Sequence, residues 1–329
     1  MITASTLFNA YIDINALLLF SCALCFLIAF MLRAFGLSHT VTAQLHLMRA
    51  MFLAVILSPI FAAAVTFFQG PGPSLNLSEF VVAQYLQGRL DMQPAALEEL
   101  LGWRGRFAAE VMAIGGPIGA LIAAGLLLGF LLFSARLVVS FLKLRRMIAE
   151  SFVWRRFGRL ELRLSDTITV PFSTRSLTRR YVVLPSSMLG NFDDLKIALG
   201  HELQHLRQHD VEWEIGLEML RPVLFWNPAF HLWKHRVERL RELSCDRSVM
   251  ARRGYDVAAY CRCLLRVCHN SLKKPRLFAV EAPVVALVRI ENRLFAERSA
   301  DLLRGRLLSL IEGKAERHSR AILALTMMP

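Results

Sequence analysis

Three long apolar runs without a charged residue dominate the first half of the chain: residues 14–32, 50–69 and 111–135. An α-helix needs about 20 residues to cross the hydrocarbon core of a bilayer. The pattern therefore predicts three transmembrane helices. No basic residue precedes the first run, which favours a retained span over a cleaved signal peptide.

The second half has shorter apolar segments between polar ones, which is typical of an α+β domain. Residues 160–164 alternate apolar and polar positions, residues 167–170 are all β-branched, and residues 181–184 are apolar before Pro185. Runs of this length and composition predict short strands. Together they indicate a small β-sheet.

An amphipathic helix is predicted after these strands. Asn191 and Asp194, three residues later, have the spacing of a helix N-cap with an acidic first turn. The apolar positions behind this cap recur every three or four residues, at Leu195, Leu199, Leu203 and Leu206. Further helices are predicted over residues 211–226, where Asn227-Pro228 ends the helix, over 229–250 and within 253–312.

The composition agrees with a membrane protein that also has a polar domain. Hydrophobic residues make up 55% of the chain and the mean hydropathy is +0.44, whereas soluble domains are about 45–50% apolar. The net charge is +13. No helix-turn-helix or zinc-ribbon spacing is present, so we expect no direct binding of nucleic acid. We attribute the positive charge to positive-inside topology and to attraction between the protein and the anionic cytoplasmic leaflet.

The basic residues predict the orientation of the spans. The 33–49 loop contains Arg33 and Arg49 without an acidic residue, and a basic segment at 143–159 follows the third run. The positive-inside rule then places the 70–110 loop outside and everything beyond the third run in the cytoplasm. We expect a multi-pass protein of a bacterial-type inner (cytoplasmic) membrane.

These patterns divide the chain into two predicted domains. Residues 1–142 form the transmembrane region and residues 143–320 form the cytoplasmic domain. Residues 321–329 are apolar again and are interpreted either as the natural end of the protein or as the beginning of a fourth span. The predicted fold is a mainly α membrane protein with three or four transmembrane helices and an α+β cytoplasmic domain.

The candidate chemistry lies on the helix behind Asn191. Gly200-His201-Glu202-Leu203-Gln204-His205 contains the pattern HExxH. Residues four apart share a helix face, so the two imidazoles can bind one tetrahedral zinc ion. Glu202 can act as general base for a water that attacks a peptide carbonyl. The alternative, a surface helix with three polar side chains, is disfavoured by the apolar stripe beside them.

Zinc needs a third protein ligand beside an open position for water. His209 lies on the same straight helix and is hard to place around a tetrahedral metal, so a surface or supporting role is favoured for it. Glu242 is the better candidate, because a second helix can bring it to the metal. Asp246, one turn later, can orient a ligand imidazole or lie on the helix surface. The remaining nearby glutamates are interpreted as the wet face of the next helix: Glu212, Glu214 and Glu218.

The order of these motifs resembles the BlaR/MecR-type antirepressor metallopeptidases. In that family a Trp-x-Asn-Pro-like segment and a helix with Glu-x-x-Cys-Asp follow the metal-binding helix. This chain has Phe225-Trp226-Asn227-Pro228 and then Glu242-Leu243-Ser244-Cys245-Asp246. Pro171 and Val182-Val183-Leu184-Pro185 resemble the upstream strand pair, but residues 172–180 lack the glycine and proline common between those strands.

The resemblance implies a zincin-like domain of gluzincin type, with Zn²⁺ bound by His201, His205 and Glu242. It implies Glu202 as general base and acid, and Asp246 as support for the site. The implied activity is that of a membrane-embedded endopeptidase that cleaves a cytosolic protein, often a transcriptional repressor, in signal transduction. Homo-oligomers are compatible with this layout. The family's penicillin-binding sensor has no counterpart in these residues, so β-lactam sensing is not expected.

Peptide hydrolysis also needs an extended substrate and a donor for the oxyanion. We expect the strand at 181–184 to be exposed and to pair with the substrate by β-augmentation. The candidate oxyanion donors, each of which can equally be a helix-surface residue, are His231, His235 and Arg236.

Two alternative functions stay open. One is a membrane quality-control or processing metalloprotease of the HtpX/CAAX type, which shares HExxH and a distant Glu-x-x-x-Asp. Cys245, the Trp-Asn-Pro segment and the three upstream spans favour the antirepressor type. The other is a non-catalytic membrane receptor with a structural zinc site. Glu202 argues against it, because a structural site needs no base beside the metal.

Overall fold

The structure is a computed structural model, and it describes residues 4–35, 40–69, 77–89, 92–99, 102, 116–273, 285–286 and 296–312. Two compact units interleave along the chain. Unit 1 contains Met1–Ala34, His46–Leu131 and Leu224–Trp233, and unit 2 contains Phe35–Leu45, Leu132–Val223 and Lys234–Pro329. This grouping differs from the predicted single division at residue 142. The predicted fourth span at 321–329 and parts of the 70–110 loop lie outside the described residues.

The first half of the chain forms long apolar helices, as the hydropathy predicted. The helices are α1 (Ala4–Ala34), α2 (Val41–Gln69), α3 (Leu77–Leu86) and α4 (Gly116–Ala149). Among the described residues, three segments are long and apolar enough to cross a membrane: Leu7–Ala34, Val41–Ala64 and Gly116–Ala149. Large apolar side chains such as Phe20, Phe61 and Leu121 are exposed on these helices, as expected for residues that face lipid. The helix α4 extends beyond the end of the predicted span at residue 135, since the basic residues that follow are helical up to Ala149.

In unit 1 the Trp-Asn-Pro segment begins a helix and binds it to α1. Asn227 accepts a hydrogen bond from the backbone N–H of Ala229 at 2.9 Å, so it caps helix α7 (Pro228–Arg253). The Asn227 amide also donates to the Oδ1 of Asn15 at 2.8 Å. Nearby, a Cβ at Gly129 of α4 would lie 2.1 Å from the ring of Phe225, so this close approach requires glycine.

Unit 2 contains a mixed five-stranded sheet of order β1-β2-β4-β3-β5. The strands are β1 (Phe152–Phe157), β2 (Leu160–Ser165), β3 (Phe172–Arg175), β4 (Arg180–Pro185) and β5 (Val285–Ala286). The strands β2 and β4 are parallel, and the other neighbours are antiparallel. The predictions at 160–164 and 181–184 are confirmed as β2 and β4. The prediction of a strand at 167–170 is wrong, because these residues form bends that bury Ile168 and Val170 between β2 and β3.

The strand β4 is central, and the prediction that it is an exposed edge is wrong. It pairs with β2 on one side and with β3 on the other. The side chains of Val182, Val183 and Leu184 are fully buried. A continuous apolar run is the pattern of a strand buried on both faces, so the composition of this segment is explained by its central position. A substrate cannot add to β4.

Helices cover the sheet of unit 2. In addition to the unit 2 part of α7, they are α5 (Phe192–Arg207), α6 (Asp210–Leu224), α8 (Val257–Lys273) and α9 (Ala296–Glu312). The Asn191 cap of α5 is confirmed, because its side chain accepts from the Asp194 N–H at 3.2 Å. Leu195 and Leu206 of α5 pack in one core with β4 and α8. This packing holds the HExxH helix against the sheet.

Candidate metal centre

The two histidines of the HExxH motif turn the same ring nitrogen towards each other. The Nε2 atoms of His201 and His205 are 2.9 Å apart, and their rings cross at 84°. Both side chains are fully buried on α5. A contact this short allows at most one hydrogen between the two Nε2 atoms. Both nitrogens are therefore placed to bind one cation.

The opposite nitrogen of each imidazole has a different partner. The Nδ1 of His205 lies 2.7 Å from Asp210 Oδ2, and the Nδ1 of His201 lies 2.8 Å from the Tyr260 hydroxyl. That hydroxyl donates in turn to Asp246 Oδ1 at 2.8 Å. An Nδ1–H that donates to these oxygens leaves the lone pair on Nε2. These contacts fix the tautomer that metal binding requires.

A left-handed residue between two helices brings Asp210 to its place. The helix α5 ends at Arg207, His209 has a φ of 57°, and Asp210 begins α6. A residue in this conformation changes the direction of the chain at a helix end. Asp210, five positions after His205, therefore lies beside it. The His209 side chain is exposed and its Nδ1 lies 3.5 Å from Glu212, which agrees with a surface role.

Two residues of α7 can supply a third donor. His201, His205 and Cys245 form a buried group whose donor atoms lie within 4.8 Å of one another. However, Cys245 Sγ lies 3.5 Å from the Nδ1 of His201, the nitrogen that already contacts Tyr260. The Glu242 carboxylate instead lies 3.5 Å from His201 Nε2 and 3.7 Å from His205 Nε2. Glu242 therefore fits the side that both Nε2 atoms face.

Glu202 is buried beside this cluster. Its side chain is fully buried, and neither carboxylate oxygen has a partner at hydrogen-bond geometry among the described residues. Burial raises the pKa of Glu202, while His205, His201 and the nearby Ser173 of β3 lower it less. A buried carboxyl group whose pKa is shifted towards neutrality is suited to exchange protons during a reaction.

The remaining charges make the cluster a site for a cation. Burial raises the pKa of Glu242, but His205, His201, Arg306 and Arg241 lower it more, to about 2. Burial lowers the pKa of His205, but the neighbouring Cys245 and Glu242 raise it, and the resulting pKa is about 10. The metal-free imidazole pair therefore holds a proton that balances the Glu242 carboxylate. A divalent cation can replace that proton.

A buried arginine of the helix α9 contacts two carboxylates of the cluster. Arg306 of α9 donates from Nε and Nη2 to the two oxygens of Asp246, each at 2.7 Å. Its Nη1 lies 3.2 Å from Glu242 Oε2. The positions of Tyr260 and Arg306 gave no signal in the sequence, because they lie on helices outside any motif. Asp210 adjoined the motif but was assigned no role.

Two of the three glutamates of α6 do not face solvent. Glu214 and Glu218 are buried, and the interpretation of them as solvent-facing is wrong. The Nζ of Lys234 contacts both carboxylates, and Arg241 donates to Glu214 at 2.7 Å. Buried carboxylates are tolerated when they are paired in this way. Only Glu212 is partly exposed, with Arg175 at 2.6 Å.

The candidate oxyanion donors have other contacts. The Nε2 of His231 lies 2.7 Å from the carbonyl oxygen of Phe225. The guanidinium of Arg236 donates to Gln44 at 3.3 Å, and His235 is exposed. These contacts assign none of the three residues to the imidazole cluster.

The comparison with protein families decides the identity of the chain. The family model of the BlaR1 peptidase M56 matches residues 24–296. The chain belongs to this family. The match covers α5, α6, α7 and α8, as the resemblance of the motifs predicted, and ends at the first residue of α9. The comparison with curated proteins gives no significant match. With three candidate spans and a buried group of metal-binding side chains, the chain is a membrane metallopeptidase.

We expect the substitution Asp210→Asn in this M56 peptidase to weaken metal binding about 10–100-fold, which is the usual effect of removing a group that supports a ligand histidine. The amide keeps the size of the side chain but removes the charge beside His205 Nδ1. Competition with a chromophoric chelator measures the affinity. Asp193→Asn is the matched control, because Asp193 is exposed on α5, the helix that carries His205. Equal affinities of the Asp210→Asn variant and the wild type would contradict this role.

We also expect the metal affinity of the M56 peptidase to increase with pH. The pKa of His205 is raised to about 10, so the metal-free protein binds a proton at lower pH that metal binding must release. Each released proton gives an increase of about tenfold per pH unit, which ends as the pH approaches the pKa. Calorimetric titrations in buffers of different ionisation enthalpy count the protons. The expected count at neutral pH is at least one, and a count of zero contradicts the prediction.

Proposed function

We propose that this M56 peptidase is a zinc-dependent endopeptidase, with His201, His205 and Glu242 as metal ligands and Glu202 as the catalytic base. One observation carries the proposal. The two Nε2 atoms meet at 2.9 Å beside the Glu242 carboxylate, while both Nδ1 atoms are engaged elsewhere. Two imidazoles and a carboxylate with one open position are a donor set of catalytic zinc in peptidases.

The residues of the site have separate roles in peptide hydrolysis. A zinc ion held by His201, His205 and Glu242 would supply Lewis acidity to the peptide carbonyl and to the attacking water. Glu202 takes the proton of that water and gives it to the leaving amide nitrogen. Asp210 orients His205, and the Tyr260 hydroxyl, held by Asp246, orients His201. Burial of Glu202 raises its pKa, which makes the carboxylate a stronger base for taking the proton of the water.

We infer a cytosolic protein as the substrate, and a transcriptional repressor as its class. The basic segment at 143–159, which begins in the last turns of α4, supports a cytoplasmic position for the peptidase domain in a bacterial-type inner membrane. The order of HExxH, Trp-Asn-Pro and Glu-x-x-Cys-Asp supports a role in signal transduction. Oligomers of the chain are compatible with this role, and the protein acts without binding nucleic acid itself.

The two alternative functions have less support. Membership of the BlaR1 peptidase M56 family argues against a processing protease of the HtpX/CAAX type. A receptor with a structural zinc site gives no reason for Glu202. Full burial of the Glu202 carboxylate is costly, and a purely structural metal site would not need it.

The substrate can be found by comparing new protein N-termini in cells. One strain produces the wild type, and the other produces the double variant His201→Ala/His205→Ala, which removes both imidazole ligands. We expect at least one new N-terminus, in a cytosolic DNA-binding protein, that depends on the wild-type histidines. Mass spectrometry of chemically labelled N-termini identifies it, and immunoblots confirm equal amounts of both variants in the membrane. Identical N-termini in the two strains would contradict the proposal. A new N-terminus only in periplasmic proteins would contradict the orientation.

A further inference from the structure

The C-terminal helix α9 brings one charged side chain into the candidate metal centre. The family match ends at residue 296, and α9 (Ala296–Glu312) begins there. Arg306 lies in the middle of this helix and is only 4% exposed. Its burial and its partners give it a place in the site that the matched motifs do not include.

The guanidinium of Arg306 contacts both carboxylates of α7 that face the site. It forms two hydrogen bonds to Asp246, each at 2.7 Å, and an ion pair of 3.2 Å with Glu242. A planar guanidinium that donates two parallel bonds fixes the rotation of a carboxylate as well as its position. Asp246 in turn accepts from Tyr260, which contacts His201.

Without Arg306 the two carboxylates would lose their main fixed cation. A second arginine beside Glu242 is Arg241, whose Nε lies 3.5 Å from Glu242. However, Arg241 donates its shorter bond, 2.7 Å, to Glu214. The Glu242 and Asp246 side chains are one helical turn apart on α7, so their negative charges repel each other in a buried place. Arg306 offsets this repulsion and selects one arrangement of both groups.

The helix α9 is attached to the domain by contacts on both sides of Arg306. Leu310, 6% exposed, is part of the core of unit 2. Arg247 of α7 donates to the Ser309 hydroxyl at 3.1 Å. Leu303 and Leu307 pack against the same core. The position of Arg306 therefore depends on the docking of the whole helix.

We propose that Arg306 is a positioning residue, through which the docked helix α9 holds Glu242 and Asp246 in the arrangement that binds the metal. The proposal rests on the proposed function, because it takes Glu242 as a metal ligand. It makes metal binding dependent on a helix that lies outside the matched family region. A change that releases α9 would weaken the site without altering any ligand.

The test compares cobalt and zinc binding by full-length variants in the same detergent. We expect Arg306→Ala to weaken binding of both metals about 10–100-fold and to change the shape of the visible absorption of bound cobalt. Arg306→Lys keeps the charge but loses the double hydrogen bond, so it should recover only part of the affinity. Arg304→Ala is the matched control, because Arg304 is exposed on the same helix, and it should bind as the wild type does.

Chemical rescue separates positioning from simple loss of folding. Guanidinium ion at millimolar concentration should increase the cobalt affinity of Arg306→Ala at least threefold and restore the wild-type spectrum, without an effect on Arg304→Ala. Wild-type affinity and spectrum in Arg306→Ala would overturn the inference while leaving the proposed function intact. Weak binding by Arg306→Ala with lower helicity and no rescue would also overturn it, because the arginine would then serve only folding. Absence of metal binding by the wild type would instead contradict the proposed function.

Discussion

Replacement of Glu202 by glutamine is expected to reduce peptide cleavage about 10²–10⁴-fold, which is the usual contribution of general acid–base catalysis. Glutamine has nearly the same size as glutamate but cannot take a proton from water. Because Glu202 is not among the proposed ligands, the variant should bind zinc with an affinity within about threefold of the wild-type value. The measurement is kcat/KM for a cleaved protein or peptide, together with the zinc content of the same sample.

The matched control for this prediction is Glu150→Gln. Glu150 is exposed and pairs with Arg146 on the surface at 2.7 Å, so its substitution should change neither cleavage nor zinc content. If Glu202→Gln cleaved as fast as the wild type, Glu202 could not be the catalytic base. If the variant instead lost its zinc, Glu202 would be a ligand, and the proposed division of roles would be wrong.

Substitution of Glu242 and of Cys245 should have very different effects on metal binding. We expect Glu242→Ala to reduce zinc affinity by more than about 100-fold, the upper range for groups that only support a ligand. Cys245→Ala should stay within about tenfold of the wild type. The reason is geometric: the carboxylate of Glu242 faces the Nε2 atoms of both histidines, whereas Cys245 faces the Nδ1 of His201.

Competition titrations with a zinc chelator on both variants give the comparison, and circular dichroism checks that each is folded. Both side chains lie on α7, three residues apart, so effects on that helix as a whole are similar for the two changes. A larger loss of affinity in Cys245→Ala than in Glu242→Ala would identify the thiolate as the third ligand. The buried group of His201, His205 and Cys245 would then be the metal site.

Sequence reasoning succeeded where the signal is local. The cap at Asn191 and the leucines of α5 follow from the spacing of neighbouring residues, and the three spans follow from long uncharged runs. The HExxH pattern likewise places its two histidines on one face through the geometry of a single helix. None of these features depends on a distant part of the chain.

The sheet was harder to predict because its strands carry weak or misleading patterns. All six side chains of β1 are exposed, so no apolar alternation marks this strand. Of the β-branched residues at 167–170, Ile168 and Val170 are buried in the core although they lie outside any strand. The apolar run at 181–184 was recognised as a strand, but its central position depends on pairing with β2 on one side and with β3 on the other, which the run itself does not indicate.

The supporting residues of the site depend on tertiary structure. Asp210 reaches His205 because His209 takes a left-handed conformation, which is uncommon for residues other than glycine. Tyr260 and Arg306 come from α8 and α9, far along the chain, and no short motif connects them with α5. A family resemblance predicts the metal ligands and the catalytic base, but it does not predict Asp210, Tyr260 or Arg306.

X-ray absorption at the zinc edge of the loaded, full-length protein tests the central claim most directly. The account predicts one zinc ion per chain, surrounded only by nitrogen and oxygen at about 2.0–2.1 Å, with the multiple-scattering pattern of two imidazoles. A sulfur neighbour at about 2.3 Å, or a spectrum with fewer than two imidazoles, would contradict a centre built from His201, His205 and Glu242.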